Sequence, residues 1–178
     1  VDDLAAEFSA GTTGPDTYVS LTDDGEVTLQ PTLGEEFEGT GLPGGWEAFN
    51  GSVWGGGTAT VTGGQLTVNG ARANTTATYD PDAAGTTYSL EFVATFGAEI
   101  NQHVGFSDNF NSRWAIFSTK ATTDTLHARV NPGSNDSFAI NPASYGLTAL
   151  VGSPHRYRID WNADGTVDFY IDGEFITT

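Results

Sequence analysis

The chain has no cysteine, which excludes a disulfide framework and any thiolate metal site. Bases are almost as scarce: six Lys and Arg occur in 178 residues, Lys120 is the only lysine, and nothing basic precedes Arg72. Against them stand 23 acids, giving a formal net charge of −17. A field of that sign repels nucleic-acid phosphates and anionic lipid surfaces, and both drop out as partners. It suits cations, a salty medium or neutral ligands such as sugars, and a host with an acidic proteome explains it equally well. No apolar run reaches the roughly eighteen residues of a membrane-spanning helix, so membrane insertion is not expected. No amphipathic helix of three turns appears either, and residues 3–8 offer one turn at most.

What is abundant is glycine, with 23 residues, alongside many Thr, Asn and Asp. That composition predicts a turn-rich, all-β protein, secreted or at the surface of a bacterium or archaeon. The length suits one domain with a full core plus an extension. The opening Val-Asp-Asp, without Met or a signal peptide, fits a processed or excised segment. Asn50, Asn74 and Asn135 head Asn-x-Ser/Thr triplets, a pattern that chance supplies readily in such a chain.

Residues 1–36 read as an acidic N-terminal arm or β-hairpin, with strands over 18–21 and 26–30 around Asp23-Asp24-Gly25. Pro43-Gly-Gly45 opens the main body, residues 37–178. Strands are predicted there over 46–49, 57–62, 65–69, 71–79, 88–96, 103–107, 114–119, 125–130, 138–140, 157–161 and 167–171. The clearest are the last two: Tyr157, Ile159 and Trp161 share one face, Val167, Phe169 and Ile171 share the matching face, and Asn162-Ala-Asp-Gly165 turns between them. Trp114-Ala-Ile-Phe-Ser118 is apolar on both faces. It suits a mid-sheet strand whose second face lines a groove.

The segment His155-Arg-Tyr-Arg-Ile-Asp-Trp161, the turn, and Tyr170-Ile-Asp-Gly173 resemble the concanavalin A-like lectin/glucanase superfamily, which includes laminarinase-type glucanases and laminin-G-like modules. Phe37-Glu-Gly-Thr-Gly-Leu-Pro-Gly-Gly-Trp46 is similar to its opening strand. Tyr88–Phe96 with Gln102–Phe106, then Arg113–Ser118 and Leu126–Arg129, follow its central order. The resemblance covers residues 37–175. It implies a jelly-roll β-sandwich of two antiparallel sheets, one concave, with carbohydrate as the commonest ligand of the concave face. Members of the superfamily run on past Tyr-Ile-Asp-Gly through another strand, whereas this sequence ends at Thr178. Either the sequence is truncated, or the strands at 18–30 fill the sheet, or a neighbouring copy lends a strand to the edge left over.

Enzymes of the superfamily carry Glu-x-Asp-x-Glu or a one-residue variant on a concave strand, because retaining hydrolysis needs two carboxylates about 5–5.5 Å apart and period-two spacing puts them on one face. This chain has no such triplet, and Glu91 and Glu99 stand alone. The residues expected to line the groove are Trp114 as a stacking ring with Glu91, His103, Asn109, His127 and Arg129 as polar partners. A buried structural role for each Trp and His is the competing explanation.

Asp160, Asn162, Asp164 and Asp168, with Gly165, imitate the front of a calcium loop, but Ile171 stands where the bidentate Glu belongs. A hairpin turn accounts for all of these residues. Calcium therefore stays a weak alternative, no other cofactor is expected, and no metal-ligand spacing links the three histidines. The expected function is a non-catalytic carbohydrate-binding or adhesion module. The alternatives are a self-assembling subunit of a surface layer, filament or stalk that exchanges strands between copies, and a glycoside hydrolase or lyase with a non-standard site. The expected partners are a glycan or polysaccharide, or copies of the chain.

Overall fold

The computed structural model describes residues 11, 14–20, 26–50, 56–80, 85–108, 110–120, 123–131 and 136–178. The chain divides into two compact units, Val1–Tyr79 and Asp80–Thr178. All regular structure described is β, in antiparallel sheets, apart from one 3-10 turn over Pro142–Tyr145.

In the first unit, β1 (Thr17–Ser20) and β2 (Glu26–Leu29) form the expected antiparallel pair, with Thr17 opposite Leu29. The Asp23-Asp24-Gly25 turn lies outside the described residues. The Tyr18 hydroxyl donates to Glu36 Oε1 at 2.6 Å. Burial, followed by that carboxylate, drives the Tyr18 pKa well above its ordinary value. β3 (Trp46–Phe49) pairs with β6 (Arg72–Thr75). Between them in sequence, β4 (Thr58–Thr62) and β5 (Gln65–Asn69) make a hairpin closed by Gly63-Gly64. Both glycines have positive φ, 59° and 74°, which is what a two-residue turn matching strand twist requires. β6 is shorter than the predicted 71–79, and just past its end the Thr76 N–H donates to the Gly45 carbonyl at 2.8 Å.

The second unit holds two four-stranded sheets. One runs β11 (Asp136–Ala139), β10 (Thr123–Asn131), β9 (Trp114–Lys120), β8 (His103–Ser107). The other runs β14 (Glu174–Thr177), β13 (Val167–Ile171), β12 (His155–Trp161), β7 (Tyr88–Ala94). Their inward residues form one core in a sandwich-like arrangement: Ala115, Phe117, Leu126 and Ala128 from the first sheet meet Tyr157, Ile159, Trp161, Val167, Phe169 and Ile171 from the second. Phe117 is central, with its ring 4.8 Å from Tyr157 and 5.2 Å edge-on to Phe169. Burying each such side chain contributes about 1.5–3 kcal/mol.

The β12–β13 hairpin has the expected register, Tyr157 opposite Ile171 and Trp161 opposite Val167. Gly165 N–H donates to the Asn162 carbonyl at 2.9 Å and closes the turn. β14 was not expected from the sequence. It follows Asp172-Gly173, both at positive φ (50° and 84°), and covers β13. Asp172 Oδ1 accepts from the Arg156 N–H at 2.9 Å, while its Oδ2 lies 2.6 Å from His155 Nδ1. His155 Nε2 lies 3.1 Å from the Ala149 carbonyl oxygen. Both partners of the buried ring are oxygen atoms that accept.

Candidate functional site

β9 lies inside its sheet, between β10 and β8, and is buried on both faces as its doubly apolar sequence predicts. Ala115 and Phe117 point into the core, so alternation sends Trp114, Ile116, Ser118 and Lys120 to the outer face. Register sets His127 opposite Ser118 and Arg129 opposite Ile116 on one side, and His103 opposite Ser118 on the other. Period two and antiparallel pairing therefore gather His103, Trp114, Ser118, Lys120, His127 and Arg129 onto a single face.

Ser118 is the hub of that face and is fully buried. Its hydroxyl donates to the Thr119 carbonyl at 3.1 Å. The oxygen accepts from Arg129 Nη1 at 3.2 Å and lies 2.8 Å from His103 Nδ1. With the hydroxyl proton committed to Thr119, this network assigns the proton of His103 to Nδ1, leaving Nε2 as an acceptor. His127 Nδ1 lies 3.1 Å from Ser137 Oγ, on β11. The Arg129 guanidinium stands over the Trp114 ring, 5.1 Å from its centroid. Trp114 is only 5% exposed, whereas Phe110 at the margin is 38% exposed. The Phe110 ring lies 5.2 Å from His103 and 6.1 Å from Trp114.

Phe110 sits at φ 61° in the loop from β8 to β9. Asp108 shapes that loop: its carboxylate accepts from the N–H groups of Asn111, Ser112 and Arg113 and from the Ser112 hydroxyl at 2.7 Å. The Ser112 hydroxyl and then these amides hold the Asp108 carboxyl below its ordinary pKa.

Electrostatics on the face are set by burial. Desolvation, and then the nearby Arg129 charge, hold His103 below the usual histidine range. Desolvation, then Lys120 and Arg129, do the same to His127. Burial also lowers Arg129. At neutral pH the face thus offers two neutral imidazoles beside Arg129 and Lys120, the cations that oppose their protonation.

The other expected residues lie elsewhere. Glu91 is on β7, opposite Arg158 on the outer face of the second sheet, with its Oε1 3.7 Å from Arg156 Nη1. It does not meet His103, His127 or Arg129. Asn109 lies outside the described residues. Asn111, in the loop that Asp108 shapes, donates from its backbone and side chain to Asp108. Sequence reasoning did not single out Ser118, Ser137 or Phe110. The parity shared with Trp114 was the available signal for Ser118; Phe110 gave none, because it lies in a loop.

The residues of the calcium-like pattern bond within the hairpin and its neighbours. Asp164 Oδ1 accepts from the Thr166 N–H at 3.0 Å and hydroxyl at 2.7 Å, and Asn162 Nδ2 donates to Asp168 Oδ2 at 2.9 Å. Ser89 Oγ donates to Asp160 Oδ1 at 2.6 Å, and Arg158 Nε lies 3.3 Å from Asp160 Oδ2. Among the described residues, no three His, Asp or Glu side chains converge as metal ligands.

No protein-family model matches the chain, and neither the curated proteins nor the solved structures yield a match.

Proposed function

We propose that the chain is a non-catalytic carbohydrate-binding or adhesion module of a secreted or surface protein, built on a concanavalin A-like jelly roll. The observation that carries the reading is the convergence of His103, Arg129 and Trp114 around the buried Ser118 on one sheet face. Sugar recognition needs directional donors and acceptors beside an aromatic surface. Arg129 and the imidazoles supply the first, and Phe110, the more exposed ring, supplies the second. Trp114 supports Arg129 from beneath rather than meeting the sugar. The test is a glycan array followed by calorimetric titration of the hits. Saturable binding that Phe110→Ala weakens about tenfold supports the reading, since ring–sugar stacking is worth on the order of 1 kcal/mol. Absence of binding to every saccharide sinks it.

A second reading is self-assembly through strand exchange, and a different observation favours it. β11 and β14 are edge strands, and a cleft of about 260 Å³ is lined by Ala128, Val130, Phe138, Phe169 and Thr177. Phe138 and Phe175 are 42% and 51% exposed. Light scattering with and without residues 1–36 tests this reading, and a monomer indifferent to the deletion refutes it.

A further inference from the structure

β2 carries the most exposed large apolar side chain among the described residues, Leu29 at 83%, and the exposed Val27 lies on the same face of the strand. Its sheet has two strands, and a two-stranded hairpin is marginal in water unless a further strand or layer covers it. The backbone of these two residues is also turned away from β1. Gln30 N–H donates to the Asp16 carbonyl, so those two residues form a hydrogen-bonded pair. Alternation then makes Thr17–Leu29 and Val19–Val27 non-hydrogen-bonded pairs. The N–H and C=O groups of Val27 and Leu29 therefore point out from the edge of the ribbon. The second unit holds a matching edge. Ile140 N–H donates to the Leu126 carbonyl, and the same alternation turns the N–H and C=O groups of Ser137 and Ala139 outward from β11. Phe138, between them, lines the cleft with Ala128, Val130 and Phe169 and stays exposed. On β14, which also borders the cleft, the Tyr145 hydroxyl already takes the Ile176 carbonyl at 3.1 Å.

We infer that β2 of one copy docks on β11 of another, parallel to it, with Leu29 against Phe138 over the cleft. The inference rests on the self-assembly reading and names the two strands that meet. Parity sets the direction. In an antiparallel addition, Val27 and Leu29 would pair directly with Ser137 and Ala139 and share their outer face. In a parallel addition, the outward groups of Ser137 bond on either side of Thr28, which sends Val27 and Leu29 to the face of Phe138. Burial sets the register: Ile140 is already buried and Phe138 is exposed, so Leu29 sits beside Phe138. Donor and acceptor are different surfaces. The contact is therefore heterologous and repeats into a ring or a filament instead of stopping at a dimer. Each copy carries a net charge of −17, so the contact forms once salt screens the repulsion.

Sedimentation velocity of the full chain in about 1 M salt, where the screening length is about 3 Å, reads the assembly. Species larger than a dimer are expected to grow with concentration. Leu29→Asp and Phe138→Asp should each abolish them. Mixed in equal amounts, the two variants should form a one-to-one dimer, because one intact contact remains between them. Val93→Asp, at an exposed position on β7, should assemble as the parent does. Oxidative cross-linking reports direction, and no native thiol interferes. A Leu29→Cys chain should cross-link to a Phe138→Cys chain and not to an Ala139→Cys chain. Should Phe138→Asp fail to fold, as circular dichroism would show, the cross-links carry the test. Assembly that survives both Asp substitutions, or that Val93→Asp abolishes as well, overturns this inference and leaves the self-assembly reading standing. A mixture of the two variants that stays monomeric does the same, as does cross-linking to Ala139→Cys instead of Phe138→Cys. A parent chain that is monomeric at every concentration removes both.

Discussion

Arg129 bonds Ser118 through Nη1 at 3.2 Å while its guanidinium covers the Trp114 ring 5.1 Å away. The two contacts lock a cation onto the outer face of a buried strand. Arg129→Ala removes the cover from the indole and one partner from a fully buried hydroxyl. The expected cost is about 1–3 kcal/mol. For a chain of this size that lowers the unfolding midpoint by roughly 2–4 °C per kcal/mol. Calorimetry checks the shift, and red-shifted tryptophan emission should accompany it.

Histidine titration gives a second expectation. His103 and His127 titrate in the folded chain below the ordinary histidine value of about 6.5, with burial as the largest cause. The unfolded chain therefore binds protons first as pH falls. Their contribution to stability is complete above about pH 6.5 and is lost as pH falls through the lower folded values. The carboxylates of Asp108 and Asp164 titrate below 3.8, outside that window. Urea midpoints should therefore drop between pH 7.5 and 5. The drop should shrink in a His103→Gln, His127→Gln double variant, and an unchanged slope would contradict the assignment.

Tyr157 presents the opposite case from Ser118. Its ring is wholly buried against Phe92, Phe96 and Phe117, and its hydroxyl has no hydrogen-bond partner among the described residues. Burial, then Asp172, raises its pKa. Deleting a hydroxyl that is desolvated and unbonded removes a penalty of about 1–3 kcal/mol. Tyr157→Phe should match or exceed the parent in thermal stability, a result that a denaturation curve reads directly.

Gly105 permits no side chain. At φ 150°, an added Cβ would fall 2.2 Å from the Ala115 carbonyl oxygen, 2.8 Å from Ile116 Cα and 3.0 Å from Ile159 Cδ1. Two of those neighbours are backbone and cannot yield. Gly105→Ala is expected to cost more than about 3 kcal/mol or to prevent folding. Gly41→Ala, with nothing within 4 Å, should be nearly silent in the same expression and melting assay.

Period two made much of this molecule legible. The hairpin over 157–171 could be read down to its register, because each strand alternates cleanly and the turn between them is rich in Asn, Asp and Gly. β9 could be placed inside a sheet from its doubly apolar run. β14 escaped notice because Glu174-Phe-Ile-Thr177 is four residues long with one buried side chain, Ile176, although Asp172-Gly173 was a readable turn signal. Alternation gathered His103, His127 and Trp114 on one side of their sheet. It could not show that Glu91 belongs to the other sheet, since strand-to-sheet assignment depends on contacts remote in sequence. Nor could it show that Arg129 would lie over Trp114, which rotamers and packing decide.

The Asp172 carboxylate touches the start of β12 through Arg156 and His155, while its own backbone opens the turn into β14. One residue thus fastens three adjacent strands, and its N–H returns to the Arg156 carbonyl at 2.8 Å. Deuterium should enter the amides of Arg156 and Asp172 late and together, and β14 should peel away only when that knot lets go. The last strand of the chain then shares the lifetime of the centre of its sheet instead of fraying ahead of it.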